Sequence, residues 1–396
     1  MKHVILRNVD TITRSEAMTR GLPKLDPAGA GEAAPAVALE VGEMTHRQAA
    51  TAARRTDVVA VAPVIPMKLI SPVALALAQD PLTGGSTWGI KAVRADTSPF
   101  TGDGVAIAVL DTGIDPDHPA FAGVTLTRKN FTSGPDDDVH GHGTHCAGTI
   151  FGRDVNGTRI GVARGVKSAI IGKVLGPDGG GSDTLLEAIQ WALQQGAQVI
   201  SMSLGMDFPA FVAELEQDGI PSPLATSMAL EGYRANVQLF ESLASLIEAR
   251  GAFLQPCLVV AAAGNESQRD VNPKFEIAVA PPAVARGFVS VAALGIDTQG
   301  FSVATFSNTG ARLSGPGVDV LSAKRGGGLT QMSGTSMATP HIAGVAALWA
   351  EKLMKSYQFN ATTFSARLMG SGTHHGIASP FDPSDVGVGM VQAPQN

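Results

Sequence analysis

Short runs of small and β-branched apolar residues recur along most of this chain, several closed by a turn that carries glycine beside Asp, Asn or Ser. The runs at 105–110, 169–174, 199–202 and 257–262 have the length of strands buried on both faces. Helical patterns such as 182–195 lie between them. This alternation predicts an α/β fold: a doubly wound, mostly parallel sheet with helices on both faces. In such sheets, functional groups collect just beyond the carboxyl ends of the strands.

The first 80 or so residues have a different texture. Segments 3–9, 36–41 and 57–65 read as strands, and Thr45 reads as the N-cap of an Ala-rich helix over 46–55. Residues 20–36, rich in Gly, Pro and Ala, read as a loop, and 76–87 as a linker. We therefore expect a small N-terminal α+β module with its linker over 1–82 and a larger domain over 83–396. A long excursion, 206–256, interrupts the larger domain. Ser222-Pro223 opens a helix there. Tyr233, Val237, Phe240, Leu243 and Ile247 share one face of it, and Gly251 is its natural stop. The excursion is expected to pack on the sheet or, alternatively, to dock a partner.

Composition narrows the function. Hydrophobic residues make up 44% of the 396, enough for a sizeable core. Asp and Glu (35) outnumber Lys and Arg (29), for a net charge of −6, which argues against nucleic acid or an anionic membrane as partner. No apolar run reaches the roughly 18 residues of a membrane span. Lys2, Arg7, Asp10 and Arg14 break up the first twenty residues, so no secretory signal is seen. The expectation is a cytoplasmic protein, or a secreted one if a leader has been removed. Two cysteines, Cys146 and Cys257, are expected as free thiols.

Four segments carry chemistry. Val109-Leu110-Asp111-Thr112-Gly113 ends a strand in a carboxylate that could orient a histidine. His140-Gly141-His142-Gly143-Thr144-His145 offers either a metal-binding trio or one general base among structural histidines. Ser333-Gly334-Thr335-Ser336 leads into an apolar helix, where a serine is either a cap or a nucleophile with an oxyanion-binding N–H. Ala263-Gly264-Asn265-Glu266 ends a strand in a carboxamide suited to a tetrahedral intermediate. The order Asp111, His142, Ser336 is one of three known chain orders for a single catalytic geometry.

Together, AVLDTGID, HGHGTHCAGT, SMSLG, AAAGNES and GTSMATPHIAG resemble the subtilisin-like serine proteases, the subtilases, over roughly 86–396. The resemblance implies a serine endopeptidase working through an acyl-enzyme on polypeptide substrates. It implies Asp111 as orienting acid, His142 as general base, Ser336 as nucleophile and Asn265 as oxyanion donor. Gly179 and Gly181 match its substrate-flanking edge strand, and Ser203, Leu204 and Gly205 the strand on the other side of the substrate. Ala262 and Gly264 would wall the pocket before the cut, favouring large apolar residues, with Glu266 at its rim. No cofactor or metal is required for such chemistry. Structural calcium is possible in the family, but Ala120 stands where a relative's ligand Asp would be, and that site is not predicted. The N-terminal module resembles a pro-segment, which would act as folding aid and intramolecular inhibitor, with cleavage expected within 76–87. Cys146 resembles the buried, inert thiol of some family members. Two other readings remain: a catalytically silent subtilase-like domain that binds peptides, and a metal-dependent hydrolase using His140, His142 and His145.

Overall fold

The structure is a computed structural model that describes residues 1–8, 37–73, 84–177, 179–251 and 255–396. The expected loop at 20–36 and most of the linker at 76–87 lie outside the described residues.

The central sheet is built from β5 (Ala106–Asp111), β6 (Thr125–Asn130), β7 (Ser168–Lys173), β9 (Val199–Met202), β11 (Leu258–Ala262), β12 (Val289–Asp297), β13 (Gly300–Val303) and β14 (Leu313–Pro316). Its order is β13-β12-β11-β9-β5-β7-β6, with β14 also paired to β12. All pairings are parallel except β12 with β13. Alternate side chains feed two cores. Ile107 and Val109 pack on one face beneath α2 (His142–Phe151) and α6 (Thr335–Lys355). Ala108 and Leu110 pack on the other beneath α3 (Ser182–Gln194) and α5 (Ser222–Gly251). Each fully buried Val, Leu or Ile contributes about 1.5–3 kcal/mol. Two-sided burial is why these strands read as continuous apolar runs rather than alternating ones. The expected α/β class holds.

The N-terminal residues form a small antiparallel sheet in which β1 (Lys2–Asn8) lies between β2 (Val37–Glu43) and β3 (Val58–Pro63). The helix α1 (His46–Ala52) is shorter than expected. Thr45 Oγ1 accepts from the Gln48 N–H and the Gln48 side chain accepts from the Thr45 N–H, a reciprocal cap.

The 206–256 excursion holds two helices rather than one. α4 (Phe208–Gln217) was not foreseen; Asp207 caps it, and Phe211 and Leu215 are its buried residues. α5 begins at Ser222 as expected and runs 30 residues. Phe240, Leu243 and Ile247 are buried as expected, but in the first half of the helix the buried face turns to Ala225, Ala229, Gly232 and Asn236, so that Tyr233 and Val237 are only half-buried. The N-terminal module explains the rotation. Gly232 lets Pro63 come close, and the fully buried Asn236 donates Nδ2 to Pro63 O at 2.8 Å. Small and polar residues carry this contact, and an apolar periodicity cannot register them.

Candidate active site

Asp111 ends β5, and His142 opens α2 one layer above it. Gly141, at φ 99°, makes the left-handed turn that lets the helix start at the imidazole. His142 Nδ1 donates to Asp111 Oδ1 at 2.8 Å, with both side chains buried. The Thr112 N–H also donates to that carboxylate oxygen, at 2.7 Å. Burial works to lower the pKa of His142, but the Asp111 carboxylate prevails and raises it well above the usual imidazole value.

A second buried carboxylate, Asp138, ties these two elements together. Its Oδ1 accepts from Thr112 Oγ1 and from the N–H groups of His140 and Gly141. Its Oδ2 accepts from the Thr144 N–H and hydroxyl. Five donors thus fix the strand end that carries Asp111 against the first turn of the helix that carries His142. Sequence analysis passed over Asp138; the signal was an acid four residues before the histidine.

Ser336 lies in the first turn of α6. Pro340 sits inside that helix and has no N–H to give to the carbonyl four residues back. That carbonyl belongs to Ser336, and Cys146 Sγ and Ser203 Oγ donate to it instead, at 3.4 and 3.3 Å. Cys146 is buried, and burial raises its thiol pKa, so the thiol serves as a neutral donor.

Asn265 follows β11. Its Oδ1 accepts from the Thr335 N–H and hydroxyl, both at 2.9 Å, which fixes which end of the amide donates. Nδ2 then faces the cleft.

The cleft is filled by the chain itself. After β3, the strand β4 (Pro66–Leu69) inserts between β8 (Gly180–Gly181) and β10 (Leu204–Met206), antiparallel to both. Met67 pairs with Gly180, Lys68 with Gly205 and Leu69 with Leu204. The Ile70 N–H points to Ser203 O at 3.4 Å. A Cβ on Gly179 would lie 2.7 Å from Met67 O, so only glycine admits the strand here. Ser336 Oγ donates to Ile70 O at 2.9 Å, and Asn265 Nδ2 donates to Ser71 O at 2.9 Å. His142 Nε2 is buried without a hydrogen-bond partner among the described residues. The expected row of acid, imidazole and hydroxyl is therefore half-formed: the Asp111–His142 bond is present, while the Ser336 hydroxyl is turned to Ile70.

The remaining expected residues sort as follows. Gly179, Gly181, Ser203, Leu204 and Gly205 all flank β4. Ala262 and Gly264 lie just before Asn265, but the direction a Gly264 side chain would take is filled by Asn308 and Glu266. The three histidines are not gathered into a ligand set. His140 is exposed, and His145 aims Nε2 at Val320 O and Thr330 O, with burial pushing its pKa down to about 3. Among the described residues, the trio with ligand atoms within 4.8 Å of one another is Asp111, His142 and Cys146.

A doubly wound parallel sheet with an acid–imidazole pair beyond its strand ends, and a serine at a facing helix start, defines the subtilisin-like class of hydrolases. The chain belongs to the subtilase family, whose family model matches residues 102–383. It is a subtilisin-like serine peptidase. It is 34% identical over 283 residues to an intracellular serine protease of Paenibacillus polymyxa, covering 69% of this chain and 76% of that one. It is 33% identical over 284 residues to subtilisin-like protease 6 of Arthroderma benhamiae, covering 66% and 57%. Against such fungal relatives it thus spans little more than half their length. Its fold is similar to that of a cold adapted subtilisin-like serine proteinase, with TM-score 0.53, 25% identity, and coverage of 78% of this chain and 96% of that one. Among the described residues, no helix is long and apolar enough to cross a membrane.

Proposed function

We propose that this subtilase is an endopeptidase held in check by its own residues 66–73. Ser336 Oγ attacks a peptide carbonyl while His142 Nε2 takes the proton, and Asp111 stabilises the resulting imidazolium. The Ser336 N–H and the Asn265 amide hold the oxyanion. As it collapses, the C–N bond breaks and the amine leaves with the proton from His142; water, deprotonated by the same imidazole, then attacks the ester and releases the acid and the Ser336 hydroxyl. Ile70 stands where the residue before the cut would stand, since its N–H meets Ser203 O and its neighbours pair with both flanking strands. Its buried side chain lies against Gly205, which supports a preference for large apolar residues there.

The observation that carries the inhibitory reading is the pair of carbonyl contacts. Asn265 grips the carbonyl of Ser71, one residue past Ile70, while the Ser336 hydroxyl donates to Ile70 O rather than to His142. A hydroxyl that donates to the carbonyl oxygen is not poised to attack the carbonyl carbon. The segment thus fills the cleft in the direction of a substrate, but the carbonyl at Asn265 is that of Ser71 and the serine hydroxyl is bonded to the oxygen of Ile70, an arrangement not set for cleavage.

Two further readings accompany the proposal. The N-terminal module anchors the inhibitory strand through Asn236 and Pro63. The enzyme works inside the cell: its two cysteines are free and buried, and the similar Paenibacillus polymyxa protein is named an intracellular serine protease.

Fluorophosphonate labelling of the full chain tests the reading. Wild type is expected to label slowly, Ile70→Glu to label fast, and Ser336→Ala not to label. A silent peptide-binding domain would leave all three unlabelled.

A further inference from the structure

We propose that Asn308 is a positioning residue for the reaction, holding the loop that presents Asn265 to the oxyanion. The inference rests on the reading of Asn265 as oxyanion donor.

Asn308 is fully buried, directly behind the turn that carries Asn265. Its contacts fall on both sides of that residue and skip it. On the near side, Nδ2 donates to Ala263 O at 3.1 Å, and the Asn308 N–H donates to Gly264 O at 3.2 Å. On the far side, Oδ1 accepts from the Glu266 N–H at 3.0 Å and the Ser267 N–H at 3.1 Å. Nδ2 also donates to Glu266 Oε2 at 2.8 Å. The carboxamide therefore accepts from the two backbone N–H groups that follow Asn265 and adds a second donor to Ala263 O, which also accepts from the Ala280 N–H; the Glu266 and Ser267 N–H groups lie outside any strand or helix.

The arrangement needs a carboxamide. The Glu266 and Ser267 N–H groups require an acceptor and the Glu266 carboxylate takes a donor, both within the reach of one short side chain. Gly264 completes the fit: its φ is 114°, and a Cβ there would run into Asn308 Nδ2 and Glu266 Oε2. Thr335 holds the side chain of Asn265 through Oδ1 and also accepts from the Gly264 N–H, while Asn308 holds the backbone on the far side at Glu266 and Ser267. An oxyanion donor acts by being fixed in advance where charge develops. A displacement of about 1 Å at such a group is enough to cost about a hundredfold in rate.

The test is a double-mutant cycle on the full chain with a chromogenic peptide anilide. The parameter is kcat at saturating peptide, where substrate has displaced residues 66–73, so a changed grip on that segment appears in KM instead. Asn265→Ala alone is expected to lower kcat by about 10²–10³, the range measured on subtilisin itself. Asn308→Ala and the near-isosteric Asn308→Asp, which keeps the acceptor but loses the donor, are each expected to lower kcat by about 10- to 100-fold. In the Asn265→Ala background, Asn308→Ala should lower kcat no further. The inference is overturned if the two losses multiply. It is also overturned if the Asn308 variants lose melting temperature but keep kcat per active site, or if neither variant folds. If Asn265→Ala leaves kcat unchanged, the oxyanion assignment itself fails, and the role of Asn308 goes with it.

Discussion

The hydroxyl of Ser336 donates to the carbonyl oxygen of Ile70 at 2.9 Å, and the imidazole nitrogen His142 Nε2 is buried without a hydrogen-bond partner among the described residues. The hydroxyl proposed as nucleophile is thus engaged by a piece of the same chain rather than by the imidazole. Much of what can be tested follows from that contact.

Ile70→Glu should release the cleft. Burying the isoleucine side chain is worth about 1.5–3 kcal/mol, and a buried unpaired carboxylate is worse than an exposed one. Turnover of a peptide at low concentration should rise by about tenfold or more. No change in the initial rate would show that β4 does not compete with substrate.

The acid limb of activity should lie above the usual imidazole range. His142 must be neutral to accept a proton, and its pKa is raised because Asp111 outweighs burial. Falling pH therefore removes the base earlier than it would with an unperturbed histidine. A profile of kcat/KM against pH, measured on Ile70→Glu, checks the sign. Asp111→Asn should lower kcat by about 10⁴, because it favours the wrong imidazole tautomer.

Asp138→Ala should damage both stability and rate. Burial works to raise this carboxyl's pKa, but hydrogen bonds from Gly141, Thr144 and Thr112 outweigh it and hold it below the ordinary value. A depressed carboxylate contributes stability that is fully present above its unfolded pKa and fades as pH falls through the folded one. The variant should lose about 3 kcal/mol or more near neutral pH, since five donors lose their acceptor, and the deficit should shrink in acid. Urea unfolding at pH 7 and pH 3 measures it. A deficit that grows in acid would contradict the assignment.

Cys146 should resist alkylation in the folded protein. It is buried, its pKa is raised by burial, and its thiol is engaged with the Ser336 carbonyl. Iodoacetamide at pH 8 should label it only after denaturation, as peptide mass mapping would show. Rapid labelling of native protein would mean that the floor beneath His142 opens.

The sequence made Asp111, His142, Asn265 and Ser336 legible because each lies at the end or the start of a regular element, beside a short, recognisable turn. It also made the parallel sheet legible, because strands buried on both faces cannot hide their apolar runs. Asp138 and Asn308 were not legible, since a buried polar residue is identified only by the donors and acceptors that surround it. Nor was β4. Pro66–Leu69 is four residues long and its pairing partners are 113 to 139 positions away, so no local pattern marks it as a strand. Local periodicity and turn chemistry thus determined the class of fold and the reacting groups. Which segment lies in the cleft, and how its carbonyls meet the serine, was decided by long-range backbone pairing, which depends on the folded geometry and leaves no mark on neighbouring residues.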